Sequence, residues 1–229
     1  IDYTIVDADG DTSNATLTVN VAADSTPEAA NGLARVDEDG LSGGNAGGPG
    51  DVAGEATVVT GTLGYSFGND GAASSSAFSW SLDGLPTVTA SGQAVSYTLS
   101  DDGRTVTGRD ASNALVLTVA LTGVANGAYK VTLHQPLDHG EQGTEDSLAF
   151  NVGYTIVDAD GSPASGQLQV LVNDDSPEAF SADAIDLAGG QTGQLNFAAV
   201  SGADGVKDVT FADLQGQAAT DSDGNTLYF

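Results

Sequence analysis

The chain has no cysteine, no methionine and one tryptophan, and only 5 Lys and Arg stand against 32 Asp and Glu. Without cysteine, neither a disulfide framework nor a thiolate metal site can hold the fold. The shortage of cations leaves a formal net charge of −27 over 229 residues. Such a chain repels nucleic acid and anionic lipid, so neither is expected as a partner. Long apolar runs are also lacking. None reaches the length of a membrane span or resembles a signal peptide, so direct membrane insertion is not expected. The chain opens on Ile1 in mid-pattern and reads as an internal segment whose targeting information lies elsewhere. Hydrophobic residues nevertheless make up 40% of it, enough to build a core rather than a disordered tail.

What is present first is repetition. Tyr3-Thr4-Ile5-Val6-Asp7-Ala8-Asp9-Gly10 recurs letter for letter at Tyr154 to Gly161, an offset of 151 residues. Ala15 to Val21 then corresponds to Gly166 to Val172, and both copies run into an acidic linker closed by proline. These linkers are Asp24-Ser25-Thr26-Pro27-Glu28 and Asp174-Asp175-Ser176-Pro177-Glu178. The expected organisation is therefore 1–26 as the last strands of one repeat, 27–176 as a complete repeat, and 177–229 as the start of a divergent third. In that third unit Leu195 to Gly205 loosely echoes Leu63 to Gly71. The sequence order also permits the two ends to fold together as one split domain.

The local pattern is β nearly throughout. Thr16–Val21 alternates with period two, and similar runs are 78–82, 95–99, 115–121, 129–133, 148–152 and 168–172. Asp-Gly, Asn-Gly and Gly-Gly pairs between them suit hairpin turns, and most of the 31 glycines sit there. No segment carries a helical stripe. The expected fold class is all-β, a β-sandwich repeat, with Trp80 and the alternating Phe and Tyr residues in its core.

The acids concentrate in turns. Asp7, Asp9 and Asp11 alternate through a glycine turn, which points several carboxylates at one place. A calcium ion wants 6–8 oxygen ligands at about 2.3–2.6 Å, and such a loop can supply about three. It is no EF-hand, because no Glu closes it at the twelfth position. Asp158 and Asp160 form the second copy, where Ser162 replaces the third Asp. That site is expected to be weaker or completed from elsewhere. In the linkers, Asp24, Glu28, Asp174, Asp175 and Glu178 flank prolines, and a cation bound there would stiffen the joint between domains. Asp37 and Asp39 lie in a third acidic turn, Val36 to Gly40, ahead of a glycine-rich stretch from Gly43 to Gly50. That stretch lacks a phosphate-binding pattern and reads as a mobile surface loop. His134 and His139 lack a nucleophile elbow or a metal-protease helix around them, so no enzyme is expected.

Tyr129 to His139, Glu145 to Leu148, Tyr154 to Gly161 and Asp174 to Pro177, in that order, resemble the tandem repeats of type I secreted, repeats-in-toxin-type giant adhesins of Gram-negative bacteria. Val36 to Leu41, Gly61 to Leu63 and Asp70-Gly71 fit the start of the same repeat. The resemblance implies immunoglobulin-like or cadherin-like β-sandwiches in tandem along a surface fibre. It further implies export through a type I channel and folding on external Ca2+, hence a secreted, cell-surface location and a part in adhesion and biofilm. The partners are then neighbouring repeats of the same chain and, at the tip, host or biofilm surfaces. The alternative function is a ligand-binding module, in which a loop such as 43–50 contacts a sugar or peptide.

Overall fold

The computed structural model describes residues 1–178 except 22, 55, 75 and 124, then 200–209, with strand pairing also at 219–220 and 226–227. Among the described residues every regular element is a strand. The chain begins with a hairpin of β1 (Asp2–Val6) and β2 (Thr12–Thr16). After the first proline linker come β3 (Glu28–Ala30), β4 (Gly32–Asp37), β5 (Val58–Thr62), β6 (Gly64–Ser66) and β7 (Phe78–Ser81). The short β8 (Thr89–Ala90) and β9 (Gln93–Ala94) precede β10 (Ser96–Leu99), β11 (Thr105–Arg109), β12 (Leu115–Leu121) and β13 (Ala128–Leu133). Two long strands, β14 (Ser147–Val157) and β15 (Pro163–Asn173), complete the repeat.

Two sheets make the sandwich, one ordered β10-β11-β12-β13-β5 and the other β4-β15-β14-β7. All pairings within them are antiparallel except β4 beside β15, which is parallel. Alternation decides which residues face inward. In β14 Phe150, Val152, Tyr154 and Ile156 are buried, and in β15 Leu168, Val170 and Val172 are buried. They meet Val106, Leu117, Val119, Val131 and Leu133 of the facing sheet in one continuous core. Trp80 lies in that core edge-on to Tyr154, with ring centroids 6.2 Å apart.

Two glycines inside strands make room for tyrosine rings. Gly166 pairs with Tyr154 and Gly61 with Tyr129, and a Cβ on either glycine would run into the ring opposite it. The Tyr154 hydroxyl donates to Ala30 O (2.6 Å) and to Gly64 O (2.9 Å), tying β14 to the β3–β6 ladder. Such glycines shorten the strands in a sequence reading, and β14 and β15 run well beyond the expected 148–152 and 168–172.

The strand expected at 16–21 does not form as such. The first hairpin keeps the register of the second, since Asp2 opposite Thr16 matches Gly153 opposite Gln167. In β15, Leu168 to Val172 pair with Val152 to Leu148. The equivalent partners of residues 18–21 would precede Ile1, so the pairing stops at Leu17, whose N–H donates to Ile1 O. Of the stretch 195–205, residues 195–199 lie outside the described residues.

Candidate metal sites at the two ends of the sandwich

Each hairpin turn is closed by its first aspartate. Asp158 Oδ1 accepts Gly161 N (3.1 Å) and Ser162 N (2.7 Å), and Asp7 Oδ1 accepts Gly10 N (3.1 Å) and Asp11 N (2.8 Å). Gly10 and Gly161 both stand at φ 100°, a conformation that suits glycine. The two turns are the same object in different surroundings. Asp7, Asp9 and Asp11 are exposed, with one carboxylate oxygen from each within 4.8 Å of the others. A hydrogen bond with Asp9 and the Asp11 backbone N–H hold Asp7 below the usual carboxylate range.

In the second turn Asp158 is fully buried, and its Oδ2 accepts no hydrogen bond. Burial raises its pKa, and a hydrogen bond shared with Asp160 raises it further. Asp24 from the preceding linker is also raised, first by its hydrogen bond with Asp160 and then by that group's charge. Asp24, Asp70 and Asp160 bring oxygens within 4.8 Å of one another. The turn that lacks a third aspartate of its own is thus completed by Asp24 of the linker and Asp70. Ser25 fastens the linker there, its N–H and hydroxyl both donating to Asp70 Oδ2 (3.3 and 2.8 Å).

The opposite end lies one long strand away, about 35 Å at the usual rise for the 11 residues of β15. Parallel pairing sets Asp37 beside Asn173 where β4 and β15 end. Glu38-Asp39 and Asp174-Asp175 therefore leave the sheet abreast, and their side chains divide into two groups. Asp39, Asp51 and Glu145 form one, with oxygens within 4.8 Å of one another. Glu38, His139 and Asp174 form the other.

Asp39 is the extreme case. It is 7% exposed, and neither carboxylate oxygen accepts a hydrogen bond. Burial pushes its pKa up to about 7, helped by the charges of Asp37, Glu145, Asp175 and Asp51. Asp37 borders the basin with its own oxygens occupied by Asp39 N (3.1 Å) and Asn173 Nδ2 (3.3 Å). Asp175 borders it too, with Oδ2 accepting Asn45 N (3.1 Å) and Ala203 N (2.6 Å) while Oδ1 remains unpartnered. Burial raises Asp175, Asp37 and Glu145 as well.

The glycine-rich stretch is laid against this basin rather than projecting from it. Asn45 Nδ2 donates to Ser176 O (3.1 Å), Gly44 sits against the Asp39 backbone, and Gly48 sits against Glu145 and Ser176. A side chain at either glycine would collide, which accounts for the composition better than mobility does. Among the described residues no Lys or Arg answers the charge of the basin or forms an ion pair with a carboxylate, while Arg104 and Arg109 donate to backbone carbonyls. All-oxygen donors, hard and anionic, at this density suit a calcium-sized ion that takes 6–8 oxygens.

The two proline linkers are docked in the same way. Gly68-Asn69-Asp70-Gly71 and Gly202-Ala203-Asp204-Gly205 share a Gly-x-Asp-Gly pattern with both glycines at positive φ (67° and 75°; 78° and 73°). The first packs Gly68 against Ser25 and the second packs Gly202 against Asp175. Glu28 pairs with Ser66 after the first proline, and Glu178 N donates to Val200 O (3.1 Å) after the second. Glu28 lies outside all four clusters, and Glu178 stands beside the basin at Gly47. Asp51, Asp70, Glu145, Glu38 and His139 are the site residues that sequence reading missed. Glu38 sits inside the Val36–Gly40 turn, between Asp37 and Asp39; the other four are remote in the chain from the acids they join, and the fold brings them in. His134 is a surface residue near Thr118 Oγ1 (3.2 Å), whereas the His139 side chain is 2% exposed.

Comparison with curated proteins finds no match, and comparison with solved structures finds none either. A sequence-family model described as "Domain of unknown function (DUF5801)" matches residues 33–171. The match runs from β4 into β15, and it includes Asp37, Asp39, Asp51, Glu145, Asp158 and Asp160. With well over half of its length matched, the chain belongs to the DUF5801 family.

Proposed function

We propose that the chain is a calcium-binding extender segment of a large secreted bacterial surface adhesin, in which calcium stiffens each repeat and its joints. The observation that carries this reading is Asp39, a buried carboxylate with both oxygens unpartnered among four other acids. The free energy of leaving such a charge unanswered is unfavourable by several kcal/mol, which a bound divalent cation reverses. Support for the joint role comes from the linkers. Asp24 reaches the Asp160 turn at one end, and Asp175 reaches both the basin and Ala203 at the other. Repeats of this kind would run in tandem, with 1–26 closing one, 27–176 complete and 177–229 opening the next.

A chain of net charge −27 held at low calcium resists compaction, and external calcium then supplies folding free energy. That fits export before folding and a location at the cell surface. The proposed role is structural, not catalytic: the displaced acids Asp39 and Asp204 stand among other carboxylates, and Glu38 is held by Leu137 N–H and His139. The alternative of a sugar or peptide site rested on the 43–50 loop, whose Asn45 is committed to Asp175 and Ser176.

Calorimetry in chelator and in millimolar calcium tests the reading. At calcium about a thousandfold above Kd, the expected stabilisation is about 4 kcal/mol per site. Equal melting temperatures in the two buffers would overturn it.

A further inference from the structure

Glu38, His139 and Asp174 differ from the carboxylate basin in one respect that matters to a metal, the imidazole. Glu38 is 0% exposed, and its Oε1 accepts Leu137 N (2.8 Å) and lies 3.2 Å from His139 Nε2. Its Oε2 is buried without a hydrogen-bond partner, so the Glu38 carboxylate keeps one oxygen with its lone pairs free. One oxygen or nitrogen from each of the three residues lies within 4.8 Å of the others. On its far side His139 Nδ1 lies 3.3 Å from Asp146 Oδ1. Neither atom has a hydrogen-bond partner as the ring stands, and Asp146 is the carboxylate within reach to orient the imidazole.

A cavity of about 620 Å³ opens beside the cluster, lined by Asp138, His139, Asp174 and Asp204, with the exposed Lys207 at its rim. Asp204 belongs to the segment after Pro177, in the docked Gly-x-Asp-Gly turn. A protonated His139 alone would face Glu38, Asp174, Asp146, Asp138 and Asp204, and one imidazolium does not balance that many acids.

We propose that Glu38, His139 and Asp174, with Asp204 supplied by the following segment, form a second metal site that takes a borderline divalent cation of the zinc class. Imidazole with carboxylates is a donor set for zinc and its neighbours, whereas calcium selects oxygen alone. Three ligands come from the repeat; Asp204 lines the adjoining cavity outside that cluster and would move in on the bound ion as the fourth ligand, pinning the joint. The site shares no ligand with the calcium basin of Asp39, Asp51 and Glu145.

The test is zinc binding by the 229-residue chain, measured by competition with a chromophoric chelator in millimolar calcium. Cobalt provides the spectroscopic probe. The wild-type chain is expected to bind one zinc equivalent that calcium does not displace, and cobalt is expected to give tetrahedral d–d absorption. His139→Ala should lower zinc affinity at least tenfold with the calcium-induced melting shift retained. Asp204→Ala lies outside the core and should weaken zinc binding without lowering the melting temperature in chelator, which covers a failure of His139→Ala to fold. Unchanged zinc affinity in both variants, or zinc displaced by millimolar calcium, would overturn the proposal. Loss of the calcium shift with zinc binding intact would instead count against the calcium reading alone.

Discussion

Replacing Asp39 with Asn should change sign with the buffer. In the folded chain the Asp39 pKa stands at about 7 against an ordinary 3.8. The folded state therefore holds a proton that the unfolded state has lost between those values. The stability this contributes is fully present below the lower pKa and is lost as pH rises through the upper one. A difference of about three pKa units corresponds to roughly 4 kcal/mol at 1.36 kcal/mol per unit, and screening by solvent brings the expected effect to about 2–4 kcal/mol. Asp39→Asn removes the charge while keeping the shape. In chelator at pH 8 it should raise Tm by about 5–15 °C, using about 2–4 °C per kcal/mol for a chain of this size. At pH 5 the folded Asp39 is protonated but the unfolded one is not, so the gain should shrink to roughly 1–1.6 kcal/mol, about 2–6 °C, and it should vanish only near pH 3. In millimolar calcium at pH 8 the variant should lose the calcium increment and melt below the wild type. Scanning calorimetry in the three buffers reads all of this. If Asp39→Asn lowered Tm in chelator at pH 8 as much as in calcium, Asp39 would be an ordinary structural acid and the cation-site reasoning would fail.

Tyr154→Phe loses the single hydroxyl proton shared between Ala30 O and Gly64 O, and should cost about 1–3 kcal/mol by denaturant unfolding with the m-value unchanged. The twin turns give an internal control. Asp158→Ala removes a fully buried acceptor and should cost about 1–3 kcal/mol, whereas Asp7→Ala at the exposed twin should cost under about 1 kcal/mol. Equal costs would show that burial is irrelevant to the turn.

The all-β character was legible because alternation survives in strands such as Leu115–Leu121, and the inward residues of β12 and β13 follow it closely. Short edge pieces such as β3, β6, β8 and β9 were not, since two or three residues cannot display a period. The long strands were underestimated at Gly153 and Gly166, since a glycine inside a strand looks like a break even where, as at Gly166, it makes room for the Tyr154 ring. The acidic turns were legible as site candidates from local spacing. Their partners were not. Asp70, Asp51 and Glu145 join their clusters through chain reversals, and Asn45 reaches Asp175 across 130 residues. The parallel pairing of β4 with β15 is what sets Glu38-Asp39 against Asp174-Asp175. Antiparallel hairpins leave traces in turn composition, but a parallel pair from the two ends of a repeat leaves none.

The most direct test of the central claim is the anomalous difference density of crystals grown in calcium. The account expects a calcium peak in the Asp39–Asp51–Glu145 basin, within about 2.3–2.6 Å of an Asp39 carboxylate oxygen, and a second at Asp24, Asp70 and Asp160. A basin filled by water alone at millimolar calcium, with Asp39 hydrogen-bonded to protein, would contradict it.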